Sequence, residues 1–510
     1  MSPEHTRRIG ALSGLAALLA GLAAGSVVAA IMKVNSPFAV AANRFIDATP
    51  KWLKTFAIDT FGTADKLALK LGMIAVLAAA ATITGVLAVR HRRVIAAGAA
   101  VLALAGVLAA ATRTGRQGGD WLPILVAAAV GGLVAWRLLP GVAAGGPLES
   151  PASFDRRRFL VGIAATGGGV VAGGLATSMI RNRATKQVAT TRASIALPTP
   201  ADATNAPVSA GAVETGLSGP WITPTADFYR IDTAFTIPNV DPASWKLDIG
   251  GMVDRPFTLT YDELLAMPTI ERPITIACVS NEVGGDLIGN ARWLGVPLHA
   301  VLEKAGIKAG ATQVASRSVD GWTCGFPTEF ATDGRDAMIA IGMNGEPLNA
   351  KHGFPARLIV PGIYGYISAT KWLKEIRLTR LEDFDGYWIP RGWAKLAPVK
   401  TQSRIDVPRT YSEVPAGRTA VAGVAWAMHR GISGVEVQVD GGDWKPAKLA
   451  DQPTVDAWRQ WVYQWDATPG KHRLAVRSID GKGEVQTGAL ASPDPDGATG
   501  WHTIQVTVAG

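Results

Sequence analysis

Five long runs of apolar residues that lack any charged side chain occupy the first third of the chain. A helix needs about 20 apolar residues to cross the hydrocarbon core of a bilayer. Four runs are long enough, and the run that begins at Trp121 is long enough if Leu138 and Leu139 extend it past Arg137. We therefore predict about five transmembrane helices within residues 1–180, at Gly10–Met32, Gly72–Val89, Val94–Thr112, Trp121–Trp136 and Phe159–Ile180.

The stretch from 181 to 220 shows no apolar periodicity and few large apolar residues. It is rich in Ala, Thr, Pro and Ser, a composition that cannot bury enough surface to form a core. A flexible coil of about 40 residues spans roughly 35 Å. We interpret residues 181–220 as a flexible linker that holds the following domain clear of the bilayer.

Strand-like and helix-like patterns alternate over residues 221–400. Apolar and polar residues alternate at Trp245–Ile249, which indicates a half-buried strand. Thr260 and Glu263 form a capping box, in which each side chain bonds a free backbone N–H at a helix start. The mixture, with its Gly-rich loops, predicts an α+β domain that contains two short helices, Tyr261–Met267 and Pro297–Lys304.

After residue 401 the pattern changes to a period of two. Val435, Val437 and Val439 alternate with polar residues and end at Asp440-Gly441-Gly442, which is a hairpin signal. Similar short strands recur towards the C-terminus. Residues 401–510 are therefore predicted to form a β-sandwich.

The positive charge of the chain is confined to its first third. Residues 1–180 contain 17 Lys and Arg against 7 Asp and Glu, whereas the remainder contains 33 against 34. The basic residues stand at the ends of the apolar runs, as cytoplasmic flanks of membrane helices do. We therefore predict no nucleic-acid partner and a multi-pass protein of the cytoplasmic membrane. Five spans place the later domains on the extracytoplasmic side if the cytoplasmic flanks are Arg7–Arg8, Arg90–Arg93 and Arg156–Arg158.

Asp155–Leu160 reads Asp-Arg-Arg-Arg-Phe-Leu ahead of an apolar, Gly-rich segment. It resembles a twin-arginine export signal, here in an internal position, which would mean that the following domain is exported already folded. An ordinary positive flank of a membrane helix has the same composition. The motif fits both interpretations.

Cys278 is one of only two cysteines in 510 residues. It follows an apolar, strand-like run in Thr275–Asn281 and enters a loop rich in Ser, Asn and Gly. A chain that presents a single thiol at the end of a rigid strand offers one soft metal ligand or one nucleophile. Cys278 therefore restricts the range of possible functions more than any other residue does.

Seven short motifs in a fixed order extend this observation. Together they resemble the sulfite oxidase family of molybdopterin-dependent oxidoreductases, over Trp221–His502. The resemblance implies a catalytic domain in residues 221–400, an immunoglobulin-like dimerisation domain in residues 401–510, and a homodimer. The motifs are Phe228-Tyr229-Arg230, Cys278 with Asn281, Ala291-Arg292-Trp293, Val319-Asp320-Gly321, Met343–Leu348, His352–Arg357 and Lys371-Trp372.

The resemblance implies that Cys278 supplies the sole protein bond to the molybdenum of a molybdopterin cofactor. A single thiolate leaves room around the metal for the dithiolene and oxo groups. The cofactor's phosphate needs donors of fixed geometry, which the guanidinium of Arg357 supplies, and the carboxylate of Asp320 suits the pterin N–H groups. The expected cofactor-binding residues are Cys278, Asn281, Asp320, His352, Arg357, Ser368, Thr370 and Lys371, with Ser368 and Thr370 contributing backbone groups.

The substrate is expected to differ from sulfite. Members that oxidise sulfite carry arginines directly after the asparagine of the cysteine motif, where this chain has Glu282 and Val283. Guanidinium groups elsewhere suit an oxyanion or the polarised oxygen of a sulfoxide or N-oxide. The candidate catalytic residues are Cys278, Arg230, Arg430 and Tyr366.

Two-electron oxygen-atom transfer is the reaction most consistent with these residues. The sequence has no Cys-x-x-Cys-His haem motif and no histidine within the predicted spans. We therefore predict a separate electron-transfer partner, with the membrane region serving as an anchor in the lipid bilayer.

A non-catalytic interpretation also accounts for the two cysteines. In an oxidising compartment Cys278 and Cys324 would form a disulfide within a membrane-tethered binding or adhesion protein. This alternative explains the even number of cysteines, but it leaves the His352–Arg357 motif without a role.

Overall fold

The computed structural model describes residues 3–50, 53, 56, 60, 65–113, 115, 118–139, 156–204 and 219–510. The chain divides into two units. The first comprises Met1–Ala189 and Ala234–Asn239, and the second comprises Thr190–Thr233 and Val240–Gly510. The apolar helices lie in the first unit and every candidate site residue lies in the second.

Helices dominate the described part of the first unit. Five of them are long and apolar enough to cross a membrane by length and composition, and they lie at the five apolar runs of the sequence. The short helix that follows the first of them is capped by Ser36, whose hydroxyl accepts the N–H of Ala39. The helices are α1 (Pro3–Met32), α2 (Pro37–Ala48), α3 (Asp65–Ala88), α4 (Arg93–Thr112), α5 (Trp121–Leu138) and α6 (Arg156–Ser194).

Helix α1 packs closely against α3 and α5 through glycines. A Cβ added to Gly14 would lie 2.0 Å from Ala81 O on α3, and one added to Gly21 would lie 2.5 Å from Ala127 O on α5. Only a residue without a side chain permits this approach of two backbones. Close packing of this kind holds apolar helices together where water supplies no hydrophobic driving force.

The residues after the last apolar run form regular structure. Helix α6 continues to Ser194 and strand β1 follows at Asp202–Ala203. The flexible linker predicted for residues 181–220 is therefore wrong in its first part. The reason is a tertiary partner, because β1 pairs in parallel with β4 (Ile270–Ala277) and satisfies its backbone groups there. Residues 205–218 of the predicted linker lie outside the described residues.

Arg192, near the end of α6, bonds to residues 346–348 of the second unit, to which it also belongs. Its Nε donates to the carbonyl oxygens of Pro347 at 3.0 Å and Leu348 at 2.9 Å. Its Nη2 donates again to Pro347 O at 2.7 Å and lies 3.1 Å from Glu346 Oε2. Residues 190–204 are therefore an integral part of the α+β domain.

Two sheets form this α+β domain. One has the strand order β1-β4-β5-β8-β10 with β9 paired to β8, and the other has the order β3-β2-β11-β6-β7. Leu247, Val296 and Ile376, from three different strands, are fully buried in one shared core. The remaining elements are β2 (Lys246–Gly251), β3 (Phe257–Thr260), α7 (Tyr261–Leu265), β5 (Ile288–Pro297), α8 (Leu298–Ala305), β6 (Gln313–Ser318), β7 (Thr323–Pro327), β8 (Met338–Met343), β9 (Glu346–Pro347), β10 (Arg357–Ile359), α9 (Gly365–Ser368) and β11 (Leu373–Thr379).

Both helices predicted for this domain are present. At the start of α7 the Thr260 hydroxyl accepts the Glu263 N–H at 3.3 Å, and Glu263 Oε2 accepts the Thr260 N–H at 2.8 Å. The predicted capping box is therefore confirmed. Helix α8 begins at Leu298, one residue after the predicted start.

The C-terminal residues form two further sheets around a second core. Val435 and Val437 point into this core, where they meet Trp461 from the opposite sheet, so the predicted alternation is confirmed. The strand orders are β12-β14-β18-β17 and β13-β20-β19-β15-β16. The strands are β12 (Gln402–Val407), β13 (Glu413–Val414), β14 (Gly417–Trp426), β15 (Ile432–Val439), β16 (Lys445–Pro446), β17 (Lys448–Leu449), β18 (Arg459–Ala467), β19 (Gly470–Asp480) and β20 (His502–Val508).

Replacing Arg192 by alanine is expected to loosen residues 195–204 from the α+β domain. The substitution removes charged donors from backbone acceptors, a contribution of about 1.5–3 kcal/mol for such a hydrogen bond. Limited proteolysis of the detergent-solubilised protein should then cleave this segment at least about fivefold faster. Arg183→Ala, at an exposed position of the same helix, is the matched control. Equal cleavage of the two variants would contradict this account.

Candidate functional site

Cys278 lies directly beyond the end of β4, where the chain turns towards β5. Its N–H donates to Leu287 O at 2.9 Å, which continues the pairing of the two strands by one residue. Asn281 closes the turn, because its N–H donates to Cys278 O at 3.1 Å and its Oδ1 accepts the Leu287 N–H at 2.8 Å. The thiol is therefore held on a backbone fixed from both sides.

The Cys278 thiol is buried, which raises its pKa, while hydrogen bonds from Ser280 act in the opposite direction. Burial disfavours the charged thiolate, so the free protein holds a neutral thiol. A bound cation reverses this preference, since a coordinating thiol is deprotonated outright. The environment of Cys278 is thus suited to a metal ligand.

The two cysteines are free thiols, so the Cys278–Cys324 disulfide of the alternative interpretation is wrong. The Cys324 sulfur lies 3.2 Å from the hydroxyl of Ser316 and 3.1 Å from that of Thr370. Burial raises the pKa of Cys324 to about 11. Each cysteine is buried in its own surroundings. The interpretation as a non-catalytic adhesion protein therefore loses its supporting observation.

Arg357 carries a buried positive charge at the start of β10. Its Nη1 donates to His352 O at 3.2 Å and its guanidinium lies 5.0 Å from the ring centre of Trp293. Among the described residues its Nε has no hydrogen-bond partner and no carboxylate pairs with it. Burial lowers the pKa of Arg357 to about 10. This guanidinium is therefore available for an anionic ligand.

Lys371 and Arg230 share one carboxylate. Lys371 Nζ and Arg230 Nε each lie 2.8 Å from Asp232 Oδ2. Burial lowers the pKa of Lys371 to about 8, although Asp232 acts against this shift. Sequence analysis missed the role of Asp232, since its pairing with a lysine 139 residues away has no local signal. The Arg230 side chain remains 34% exposed, against 10% for Lys371.

His352 is held as a neutral ring. Its Nε2 lies 3.2 Å from Thr225 O, which requires a proton on that nitrogen, and its ring packs edge-on against Phe228. Burial, followed by the charge of Arg357, lowers the pKa of His352 to about 4. His352 therefore adds no charge to the cluster near pH 7.

Asp320 and Tyr229 are two further titratable residues near the cations and Cys278. Burial raises the pKa of Asp320, and both Asp232 and Lys371 are close enough to influence it. Burial also raises the pKa of Tyr229, which Cys278 raises further and Arg357 lowers. Tyr229 was not among the sequence candidates, although its place beside Arg230 in the first motif could have indicated it.

Four predicted residues have their polar side-chain groups occupied within the protein. The Arg430 guanidinium binds Asp480 Oδ2 at 2.9 Å, Val399 O and Thr401. The other three bind backbone or buried side-chain groups: Tyr366 donates to Ala394 O, Ser368 donates to Tyr364 O, and Thr370 meets Ser316 and Cys324. The hydroxyl groups of Ser368 and Thr370 are therefore engaged within the protein.

Similarity to known proteins agrees with this geometry. Residues 234–388 match the family model described as an oxidoreductase molybdopterin binding domain. Mitochondrial sulfite oxidase of Macaca fascicularis is 29% identical over 341 residues, which cover 57% of this chain and 62% of that protein. The uncharacterized oxidoreductase YuiH of Bacillus subtilis is 36% identical over 154 residues, which cover 30% of this chain and 74% of YuiH.

The chain belongs to the sulfite oxidase family of molybdopterin-dependent oxidoreductases. Nitrate reductase (NADH) 1 of Oryza sativa is a further relative, 33% identical over 195 residues that cover 33% of this chain and 21% of that protein. The chain thus spans 62% of the length of the sulfite oxidase and a smaller part of the nitrate reductase.

The residues present fit the cofactor of the sulfite oxidase family. Arg357, Lys371 and Arg230 bring three positive charges together, and Asp232 is the carboxylate that pairs with two of them. The surplus suits the phosphate of molybdopterin, which is an anion with several acceptor oxygens. The thiol of Cys278 suits its molybdenum. The cationic cluster and the thiol are together complementary to the two charged parts of one cofactor.

Arg357→Met is expected to separate stability from cofactor binding. In cofactor-free protein the substitution removes a buried charge that has no carboxylate partner, so the thermal unfolding midpoint should stay unchanged or rise. Loading with molybdopterin should fall at least about tenfold, because a charge-assisted contact to phosphate is lost. Differential scanning calorimetry and quantification of released pterin measure the two effects.

The matched control for this experiment is Arg317→Met. Arg317 is 48% exposed and pairs with Glu375 on the surface, so neither quantity should change appreciably. Wild-type loading in the Arg357→Met protein would show that Arg357 does not bind the cofactor.

Proposed function

We propose that this protein is a membrane-anchored oxidoreductase that uses molybdopterin for two-electron oxygen-atom transfer to or from a small substrate. The observation that carries the proposal is the buried thiol of Cys278 together with the buried guanidinium of Arg357, which no carboxylate among the described residues pairs with. The bound cofactor supplies the redox change and accepts or donates the oxygen atom. The side chains of the protein hold the cofactor and orient the substrate.

Arg357, Lys371, His352 and Asp320 are the residues to which we assign the binding of the pterin and its phosphate. Arg357 is the most deeply buried cation of the cluster, and Lys371 is held next to it by Asp232. His352 stays neutral and offers a ring without charge repulsion towards Arg357. This division places the strongest donors at the phosphate.

Arg230 is the residue to which we assign the substrate. Its guanidinium is partly exposed and is oriented by two hydrogen bonds to Asp232, at 2.8 and 3.2 Å. A guanidinium in this position binds an oxyanion or the polarised oxygen of a sulfoxide or N-oxide. Glu282 is exposed in the loop after Cys278, so sulfite meets a negative charge there. We therefore favour neutral or singly charged oxygen donors over sulfite.

Tyr366 and Arg430 support this site without direct chemistry. The Tyr366 hydroxyl donates to Ala394 O and its ring lies 5.7 Å from that of Trp393. Burial raises the pKa of Tyr364, two residues before Tyr366, to about 12, and Cys278 and Arg430 are among the groups that influence this pKa. We assign Tyr366 to the wall of the substrate cavity and Arg430 to the fixed frame behind it.

The membrane region and the C-terminal domain complete the proposal. We infer that the five apolar helices cross the cytoplasmic membrane and that the catalytic domain lies on its extracytoplasmic side. The two C-terminal sheets share one core, as immunoglobulin-like domains do, and we assign them to dimerisation. A separate redox partner exchanges electrons with the enzyme.

Turnover by the full-length, cofactor-loaded protein in detergent tests this function. With a reduced viologen dye as electron donor, a panel of sulfoxides, N-oxides and nitrate should give dye oxidation, and sulfite with ferricyanide should be turned over more slowly. Cys278→Ser should lower the rate at least about 100-fold, since the metal loses its protein ligand. Cys324→Ser is the matched control and should retain activity within about threefold, because a hydroxyl suits its two hydroxyl neighbours.

Lack of turnover in both directions, with molybdenum bound, would refute the proposed reaction. Equal loss of activity in both cysteine variants would refute the special role of Cys278.

A further inference from the structure

Two side chains of the C-terminal β domain reach the loop that follows Cys278. Arg404 Nη1 donates to Gly285 O at 2.8 Å. The His502 ring lies directly against Gly284, where an added Cβ would come within 2.3 Å of Cδ2 and 2.4 Å of Nε2. Arg404 belongs to β12 and His502 to β20, so both sheets of the C-terminal domain contact this loop.

Short-range hydrogen bonds connect the contacted part of the loop with Cys278. The Gly285 N–H donates to Glu282 O at 2.9 Å, and the Asn281 N–H donates to Cys278 O at 3.1 Å. Asn281 Oδ1 accepts the Leu287 N–H, and Leu287 O accepts the Cys278 N–H. A displacement of Gly285 is therefore passed to the backbone of Cys278.

The tip of the loop depends on outside contacts for its rigidity. Gly284 has φ of +78°, a left-handed conformation that suits glycine, and Gly285 follows it directly. Two consecutive glycines lose more conformational freedom on ordering than any other pair. The His502 ring occupies the space where a side chain of residue 284 would stand. Contacts from Arg404 and His502 replace the restraint that side chains within the loop would give.

Arg404 and His502 are themselves held in place. Arg404 Nε lies 2.6 Å from Asp406 Oδ1, and His502 Nδ1 accepts the Ile405 N–H at 2.9 Å. Because Nδ1 accepts, the neutral ring carries its proton on Nε2. Burial, followed by the charge of Arg404, lowers the pKa of His502 to about 4, so the ring stays neutral near pH 7. The two side chains form a fixed surface for the loop.

We propose that Arg404 and His502 are positioning residues for the Cys278 loop. The C-terminal β domain thereby sets the placement of the metal-ligating thiol, in addition to any part it has in assembly. The thiol's role as a metal ligand rests on the function proposed above, whereas the restraint of the loop does not.

Hydrogen–deuterium exchange of the full-length protein in detergent tests the restraint. In Arg404→Met and in His502→Ala, amides 282–287 should exchange at least about fivefold faster than in wild type, because local opening becomes easier. The cofactor-free protein should show this effect, so the result does not depend on the proposed reaction. Arg418→Met is the matched control, since Arg418 is exposed on β14, the strand that pairs with β12.

The cofactor-loaded protein tests the consequence for the metal. Both variants should bind molybdenum and show a Mo(V) electron paramagnetic resonance spectrum with shifted or broadened lines, and Arg418→Met should give the wild-type spectrum. A purely structural role of Arg404 and His502 would lower thermal stability and leave this spectrum unchanged. Wild-type protein without molybdenum would refute the proposed function. The exchange data would still show whether Arg404 and His502 restrain the loop.

A third variant tests the contact at Gly284 directly. Gly284→Ala should speed exchange of the loop, and the double variant with His502→Ala should exchange more slowly than the sum of the two single effects predicts, because the clash is removed. The exchange rates of each variant are compared with wild type separately. A variant that fails to fold therefore does not affect the result from the others. Wild-type exchange of residues 282–287 in every folded variant would overturn the proposal.

Discussion

A buried positive charge that the protein itself does not neutralise is the constraint around which the α+β domain is organised. The guanidinium of Arg357 is buried with one unsatisfied nitrogen, and Lys371 shares the carboxylate of Asp232 with Arg230. Burying such charges costs stability unless an anion arrives. Cys278 presents the opposite case, because its buried thiol becomes a thiolate only beside a cation. A molybdenum cofactor with a phosphate satisfies both requirements at once.

The rest of the second unit keeps these groups in place. Strand β4 ends at Ala277, directly before Cys278, and its first two residues pair with β1, which comes from the segment after α6. Beyond Cys278, the C-terminal domain contacts the following loop through Arg404 and His502. Segments far apart in sequence therefore contact β4 at its start and the loop beyond its end.

Local patterns were sufficient to predict some of these features from the sequence. The capping box at Thr260, the alternation at Val435 and Val437, and the position of Cys278 after a strand each depend on neighbouring residues. The pairing of β1 with β4 and the ion pair of Arg430 with Asp480 depend on partners about 50 or more residues away. From composition alone, residues 181–204 were predicted to be unstructured. No local signal in this segment reveals that part of it pairs with the edge of β4.

Molybdenum content is the most direct test of this account. Inductively coupled plasma mass spectrometry would compare wild type with Cys278→Ser, each expressed in full length with cofactor biosynthesis intact. The account predicts about one molybdenum per wild-type chain, as one thiolate ligand implies, and a loss of most of it in the variant. Well-folded wild type without molybdenum, produced under these conditions, would contradict it.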